Sequence, residues 1–345
     1  MGYLLGLMMV TFILNAGTIV PFINLLYKIK LQRQKQHTRD ALNRPAPIFD
    51  TLNRNKAGTP LGGGLLIIVN TIVMFLASFP MLYYFWVPIT SIYGDSGTEI
   101  KVLMFTFISF GILGLYDDIR KVFFIESNAI IGLSIKHKLL LETILAGVIG
   151  YWLYADLKIQ ILHVPLIGVF DIGIFYILFA VFVIIAFANA FNITDGLDGL
   201  ATGVLMIALA AFWVISRSIL DTTLSVFIAV WIGGLIAFLY FNVYPARIFL
   251  GDTGALSFGA TFAVIGLLLG KTFSLPIIGG IFVAEIASSL LQIVSKKYRG
   301  KKMFTVAPIH LWLGKRGWHE STIVFRFWLA SIMLAVVGLT LAFLT

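Results

Sequence analysis

The chain has 345 residues, of which 59% are hydrophobic and only 12% charged, with a formal net charge of +9 and no cysteine. So apolar a composition excludes a water-soluble domain, and the missing cysteines exclude disulfides and thiolate metal sites. The excess of positive charge first suggests nucleic acid, but its distribution along the chain argues for a membrane surface and against a nucleic-acid partner.

Apolar runs near the roughly 20 residues that cross a bilayer as a helix recur throughout, whereas a β-barrel alternates every second residue. They predict spans near 3–27, 61–86, 101–115, 139–155, 172–190, 199–220, 225–243, 255–269, 274–294 and 322–344. That makes about ten transmembrane helices in an all-α integral membrane protein, read as a single polytopic domain over 1–345. The first span has too long an apolar stretch, and no basic segment before it, to be a cleaved signal peptide, so it is expected to remain.

Between the spans, Lys and Arg number eight in 28–60, four in 116–138, none in 191–198, one in 244–254 and seven in 295–321. The alternate loops hold only four, Lys101, Lys158, Arg217 and Lys271, and Arg326 lies inside the last span. The positive-inside rule therefore predicts basic loops in the cytoplasm and both termini outside. For most of these residues, topology and attraction to anionic membrane lipids are reason enough.

Two of the basic loops carry more than charge. The first contains Pro45 and Pro47 and re-enters the membrane through Gly58-Thr59-Pro60-Leu61-Gly62-Gly63-Gly64, where glycines serve a turn, a close backbone approach to a ligand or helix packing. The last begins Lys296-Lys297-Tyr298-Arg299-Gly300-Lys301-Lys302 and continues through Trp312 and Trp318, a composition suited to lying along the interface.

Five of only 16 acidic residues fall at span edges on the basic side: Asp117, Asp118, Asp195, Asp198 and Asp252. In Gly114-Leu115-Tyr116-Asp117-Asp118-Ile119-Arg120-Lys121, adjacent carboxylates cannot point the same way on a helix. One is expected to face a site while the other meets a base, a metal-bound water or a neighbouring helix, with Lys121 in reach of both. An ordinary helix-end salt bridge is the simpler reading of this motif alone. In Asn189-Ala190-Phe191-Asn192-Ile193-Thr194-Asp195-Gly196-Leu197-Asp198, the three-residue spacing predicts Asn192, Asp195 and Asp198 on one helical face, as ligands for a cation or acceptors for a sugar or base. A polar turn with an Asp cap is the alternative. In Phe249-Leu250-Gly251-Asp252-Thr253, Asp252 either caps the following helix or supplies oxygen to a metal, for which Mg2+ fits best. Glu142 and Glu285 fall inside apolar spans, where a lipid groove and helix packing both account for them, so neither is counted as a site residue.

In order and spacing these motifs resemble the polyprenyl-phosphate N-acetylhexosamine-1-phosphate transferase superfamily, over nearly the whole chain and including Lys56-Ala57-Gly58-Thr59-Pro60. Within it, Pro308-Ile309-His310, Gly317-Trp318, Glu320 and Ile323 to Trp328 resemble the phospho-N-acetylmuramoyl-pentapeptide transferase branch. Leu311 and Trp312 depart from the successive histidines usual in that branch, and Leu61 stands where Thr is common.

The resemblance implies a bacterial cytoplasmic (inner) membrane enzyme of peptidoglycan and cell-wall synthesis. It would transfer phospho-MurNAc-pentapeptide from UDP-MurNAc-pentapeptide to undecaprenyl phosphate, with Mg2+ as cofactor, UMP as by-product, and a homodimer as its assembly. For that reaction Asp252 is expected as a direct Mg2+ ligand with Asp118 supporting the metal, and Asp117 at the acceptor phosphate as base or orienting group. The resemblance also implies that Lys56 and Lys121 meet phosphates, that Asn192, Asp195 and Asp198 line the nucleotide-sugar site with Phe249 stacked on uracil, and that His310 either contacts the donor phosphate region or supports the residues that do. The alternatives are a sibling GlcNAc-1-phosphate transferase and, more distantly, a membrane transporter. The clustering of acids at one surface rather than the midplane speaks against a transporter.

Overall fold

A computed structural model describes residues 1–32, 50–51, 56–123 and 133–344, so the stretch with Pro45 and Pro47 lies outside the described residues. The protein is helical: α1 (Gly2–Lys28), α2 (Gly63–Tyr84), α3 (Ser96–Phe123), α4 (Ile135–Ala155), α5 (Phe175–Thr194), α6 (Leu200–Ser218), α7 (Thr222–Asn242), α8 (Gly251–Leu268), α9 (Leu275–Ile278), α10 (Gly280–Tyr298), α11 (Ile309–Lys315) and α12 (Glu320–Phe343). A two-stranded hairpin between α4 and α5, β1 (Ile161–Val164) and β2 (Gly168–Asp171), pairs antiparallel with Ile161 opposite Asp171. No apolar span covers this hairpin, and the span pattern gave no hint of it.

Among the described residues, nine helices are long and apolar enough to cross a membrane, against the ten expected. The segment expected at 274–294 is broken at Gly279 into α9 and α10, and α10 carries Glu285, Gln292, Lys296 and Lys297. Its polar face is turned to protein: Gln292 accepts the backbone N–H groups of Met303 and Phe304 and donates to the Phe304 carbonyl.

The centre of the bundle is α8, in which every residue from Thr253 to Leu268 is buried. It packs on α3, α5 and α2. Lipid tails are as apolar as side chains, so helix association in a membrane depends on close packing, which small residues permit. The sequence of α8, GDTGALSFGATFAVIGLL, is accordingly rich in Gly, Ala, Ser and Thr. Of its two large buried rings, Phe258 and Phe262, the first stacks on Phe107 of α3 with ring centroids 5.7 Å apart and meets Trp231 of α7 edge-on at 5.2 Å.

Two contacts bring the first turn of α8 against its neighbours. A Cβ added at Gly114 of α3 would lie 2.1 Å from the carbonyl oxygen of Asp252, and one at Gly64 of α2 would lie 2.3 Å from the Gly254 backbone. The Gly62-Gly63-Gly64 run is thus used for helix packing. It also forms a backbone seam, in which Gly63 and Gly64 donate to the Phe249 and Leu250 carbonyls, each at 2.9 Å.

Candidate active site

All five aspartates converge at the end of the bundle where α3 finishes and α8 begins. α3 runs to Phe123, past the limit expected at 115, and carries Asp117, Asp118, Arg120 and Lys121 in its last turns. The adjacent acids diverge as helical geometry requires. Asp118 turns to the neighbouring helix: its Oδ1 accepts the Asp252 N–H at 3.0 Å, and its Oδ2 accepts the Thr253 N–H at 2.9 Å and the Thr253 hydroxyl at 2.7 Å. The N-terminus of α8 has no cap from its own chain neighbours, so Asp118 caps it from 134 residues away and places a negative charge where the helix dipole favours one. Asp252 is thereby released from the capping role.

Asp117 and Asp252 form the charged centre. Lys121, one turn beyond Asp117 on α3, bridges Asp117 Oδ2 at 2.9 Å and Asp252 Oδ2 at 2.6 Å. Lys121 therefore serves Asp117 and Asp252, and its expected partnership with Asp118 is replaced by the α8 cap. Lys138, from the first turn of α4, reaches the same two oxygens at 3.4 and 2.8 Å. The second oxygen of Asp117 accepts the Leu133 N–H at 2.7 Å. Lys138 was missed because a lysine beside a span reads as a topological charge. Its position at the start of a helix that ends against α3 and α5 is a tertiary property.

Beside this centre, Lys56 pairs with Asp198 Oδ1 at 2.8 Å and with Glu320 Oε1 at 2.6 Å. The common face expected for Asn192, Asp195 and Asp198 does not form. α5 ends at Thr194, Asp195 follows as its C-cap, and the turn closes through Gly199 at φ +77°, a conformation that favours glycine. The turn carries Asp198 away to Lys56 and to the Ala246 N–H, 2.9 Å from its Oδ2. Asn192 and Asp195 stay at the helix end, partly buried; the Asp195 N–H donates to the Phe191 carbonyl at 3.0 Å, and neither side chain has a hydrogen bond or ion pair among the described residues. Burial, followed by the nearby Asp252 carboxylate, pushes the Asp195 carboxyl well above the usual carboxylate range.

Phe249 is partly buried, with its backbone held by Pro60 and Gly63. His310, in the first turn of α11, is 1% exposed and lies against Gly196, while its Nδ1 is 2.9 Å from Glu285 Oε2. Glu142 accepts from Asn189 Nδ2 at 2.6 Å, which answers its place in an apolar span by helix packing.

Among the described residues no cluster of three or more His, Asp or Glu forms a ready-made metal cage. The donors present are carboxylate oxygens, and Asp252 and Asp117 share one locus through the two lysines. Such a set fits a hard cation that takes one or two carboxylates and completes its shell with water and phosphate, the preference of Mg2+.

The arrangement joins carboxylates to flexible ammonium groups around a helix N-terminus, at the end of a bundle of membrane helices. Such chemistry suits phosphate groups. Residues 100–270, which span α3 to α8 and hence most of the acidic centre, match the glycosyl transferase family 4 model. The chain is 35% identical to the phospho-N-acetylmuramoyl-pentapeptide-transferase of Clostridium novyi, over 83% of each chain. It is 37% identical to the enzyme of that name from Caldanaerobacter subterraneus, over 81% of this chain and 82% of the relative. Against the one from Rickettsia felis it is 38% identical, over 84% and 81%. Likeness of this extent, carried across the helices that build the acidic centre, places the chain in the phospho-N-acetylmuramoyl-pentapeptide-transferase family.

Proposed function

We propose that this protein transfers phospho-MurNAc-pentapeptide from UDP-MurNAc-pentapeptide to undecaprenyl phosphate, giving the first lipid-linked peptidoglycan precursor and UMP. The observation that carries the reading is the balanced square of Asp117, Asp252, Lys121 and Lys138 at the mouth of α8. Two ammonium groups and two carboxylates sum to zero. A diphosphate and a lipid phosphate entering this square add several negative charges, and two like charges 4 Å apart repel by about 4 kcal/mol at an effective dielectric of 20.

A divalent cation corrects that imbalance, and Asp252 with Asp117 beside it are the residues that would hold Mg2+, which when bound neutralises charge on the phosphates. Asp118 supports the metal locus by fixing the α8 terminus on which Asp252 sits, since its oxygens already accept three hydrogen bonds. In the reaction a phosphate oxygen of the lipid attacks the β-phosphorus of the donor, forming one P–O bond as the bond to UMP breaks. The lipid phosphate is largely ionised near neutral pH, so Asp117 orients it and need not remove a proton. Lys121 and Lys138 exchange their carboxylate partners for phosphate oxygens. Asp195, at the C-cap of α5, lines the nucleotide-sugar side with Asn192, and Phe249 stacks on the uracil. Lys56 and Asp198 form the rim of that side.

The charge pattern of the loops supports a cytoplasmic orientation of this end of the bundle in a bacterial inner membrane, on the side of the soluble nucleotide donor. The test is purified protein in nanodiscs with undecaprenyl phosphate and either UDP-MurNAc-pentapeptide or UDP-GlcNAc, following UMP and the lipid product. Release of UMP with the muramoyl donor, abolished by Asp252→Asn with the fold retained, is expected. Turnover confined to UDP-GlcNAc would overturn the donor assignment, and full Mg2+-dependent activity in the variant would overturn the role of Asp252.

A further inference from the structure

We propose that Glu285 is a positioning residue for the transfer reaction, one that sets the tautomer of His310 and presents its Nε2 atom to the donor diphosphate. The identity of that ligand rests on the function proposed above; the assignment of Glu285 to His310 does not. Glu285 lies on α10, beyond the Gly279 break, with no exposed surface. Its Oε1 faces the backbone N–H of His310 at 3.1 Å, and its Oε2 faces ring Nδ1 at 2.9 Å. Both oxygens therefore engage one residue, fixing its main chain and its ring together.

The chemistry of this clamp is specific to one ring nitrogen. As a carboxylate, Glu285 accepts at both oxygens, so Nδ1 carries the proton and Nε2 is left for other work. Nε2 faces the turn that holds Asp195: a Cβ at Gly196 would stand 2.5 Å from it. A glycine at 196 leaves this nitrogen space that any other residue would fill. The order carboxylate, imidazole, substrate-side turn is the arrangement by which a buried acid fixes which nitrogen an imidazole shows to its substrate. The competing role is packing of α11 on α10. Packing alone is indifferent to which nitrogen holds the proton, and this separates the two.

Glu285→Gln supplies the test. The amide has a single acceptor, so with its oxygen on the His310 backbone N–H, its NH2 group faces Nδ1 and demands the opposite tautomer, with the proton on Nε2. Nitrogen NMR of histidine-labelled protein in nanodiscs, with the His310 signal identified by its loss in His310→Ala, is expected to change from Nδ1–H to Nε2–H. With UDP-MurNAc-pentapeptide and undecaprenyl phosphate, kcat should fall by about 10²-fold while KM for each substrate moves little. Glu285→Asp, which keeps the carboxylate, should recover part of the loss. In a His310→Ala background, Glu285→Gln should cost nothing further. An unchanged tautomer, or an equal loss with and without His310, would overturn the proposal. Should the glutamine variant not fold, Glu285→Asp enters the same cycle, and an equal loss in both backgrounds has the same force. Absence of UMP release by the wild-type protein would count against the proposed function, while the NMR comparison still decides the role of Glu285.

Discussion

At the site end of the bundle, buried and partly buried acids share cations: Asp117 and Asp252 hold Lys121 and Lys138, and Asp198 and Glu320 hold Lys56. At the far end, Asp221 and Glu99 are as deeply buried and make no ion pair among the described residues. Asp221 instead caps α7, accepting the Leu224 N–H on Oδ1 at 2.9 Å and the Ile92 N–H on Oδ2 at 3.4 Å, and burial pushes its carboxyl upward. An ion pair with a mobile ammonium can be exchanged for a phosphate and a cation without leaving a bare charge. A carboxylate pinned to backbone has no such option. One end is built for exchange and the other for holding helices in place.

The comparison can be broken most severely at the lysines, after the loss of turnover expected for Asp252→Asn. Lys138→Ala leaves two buried carboxylates with one cation, and UMP release is expected to fall by about 10² to 10³-fold, with a larger Mg2+ requirement in the same assay. Turnover within a few-fold of wild type would mean that the square is structural, as the far end is.

A gentler break is Gly114→Ala. Its methyl group would meet the Asp252 carbonyl, an atom of backbone that cannot step aside, so α3 and α8 must separate. The expected cost is about 1–3 kcal/mol of stability, read by thermal unfolding, together with a loss of turnover larger than the unfolded fraction explains. An activity loss that tracks unfolding alone would show that Asp252 tolerates displacement.

The smallest effect sharpens the far end. Because the folded-state pKa of Asp221 lies above its unfolded value, its contribution to stability is present at low pH and is lost as pH rises from the usual carboxylate range through the raised value. The unfolding temperature should decline as pH rises above the usual carboxylate range, and Asp221→Asn, which keeps a capping oxygen, should flatten the decline and leave turnover unchanged. An unaltered slope would remove Asp221 from the account.

The spans and the five aspartates are legible in the sequence because apolar length and acid placement are local properties. So was the divergence of Asp117 from Asp118, which follows from helical phase. The roles of Lys138 and Glu285 were not, since each depends on where a distant helix ends: Lys138 on α4 meeting Asp252, Glu285 on α10 meeting His310. The spacing of Asn192, Asp195 and Asp198 misled for the converse reason. Periodicity extends a helix through Gly196 and Gly199, whereas the chain stops it at Thr194 and sends Asp198 to another partner. The break at Gly279 escaped because both halves of that segment are apolar enough to read as one.

The cap that Asp118 provides to α8 also sets an order of events during synthesis. Asp118 is made 134 residues before Asp252, and at roughly 5–20 residues per second the ribosome adds that length in roughly 7–27 s. Through that interval the end of α3 has no helix terminus to hold, and the acidic centre does not exist. The square of Asp117, Asp252, Lys121 and Lys138 can close only after α8 has been made, and Glu285, His310 and Glu320, which come later in the chain, join it last.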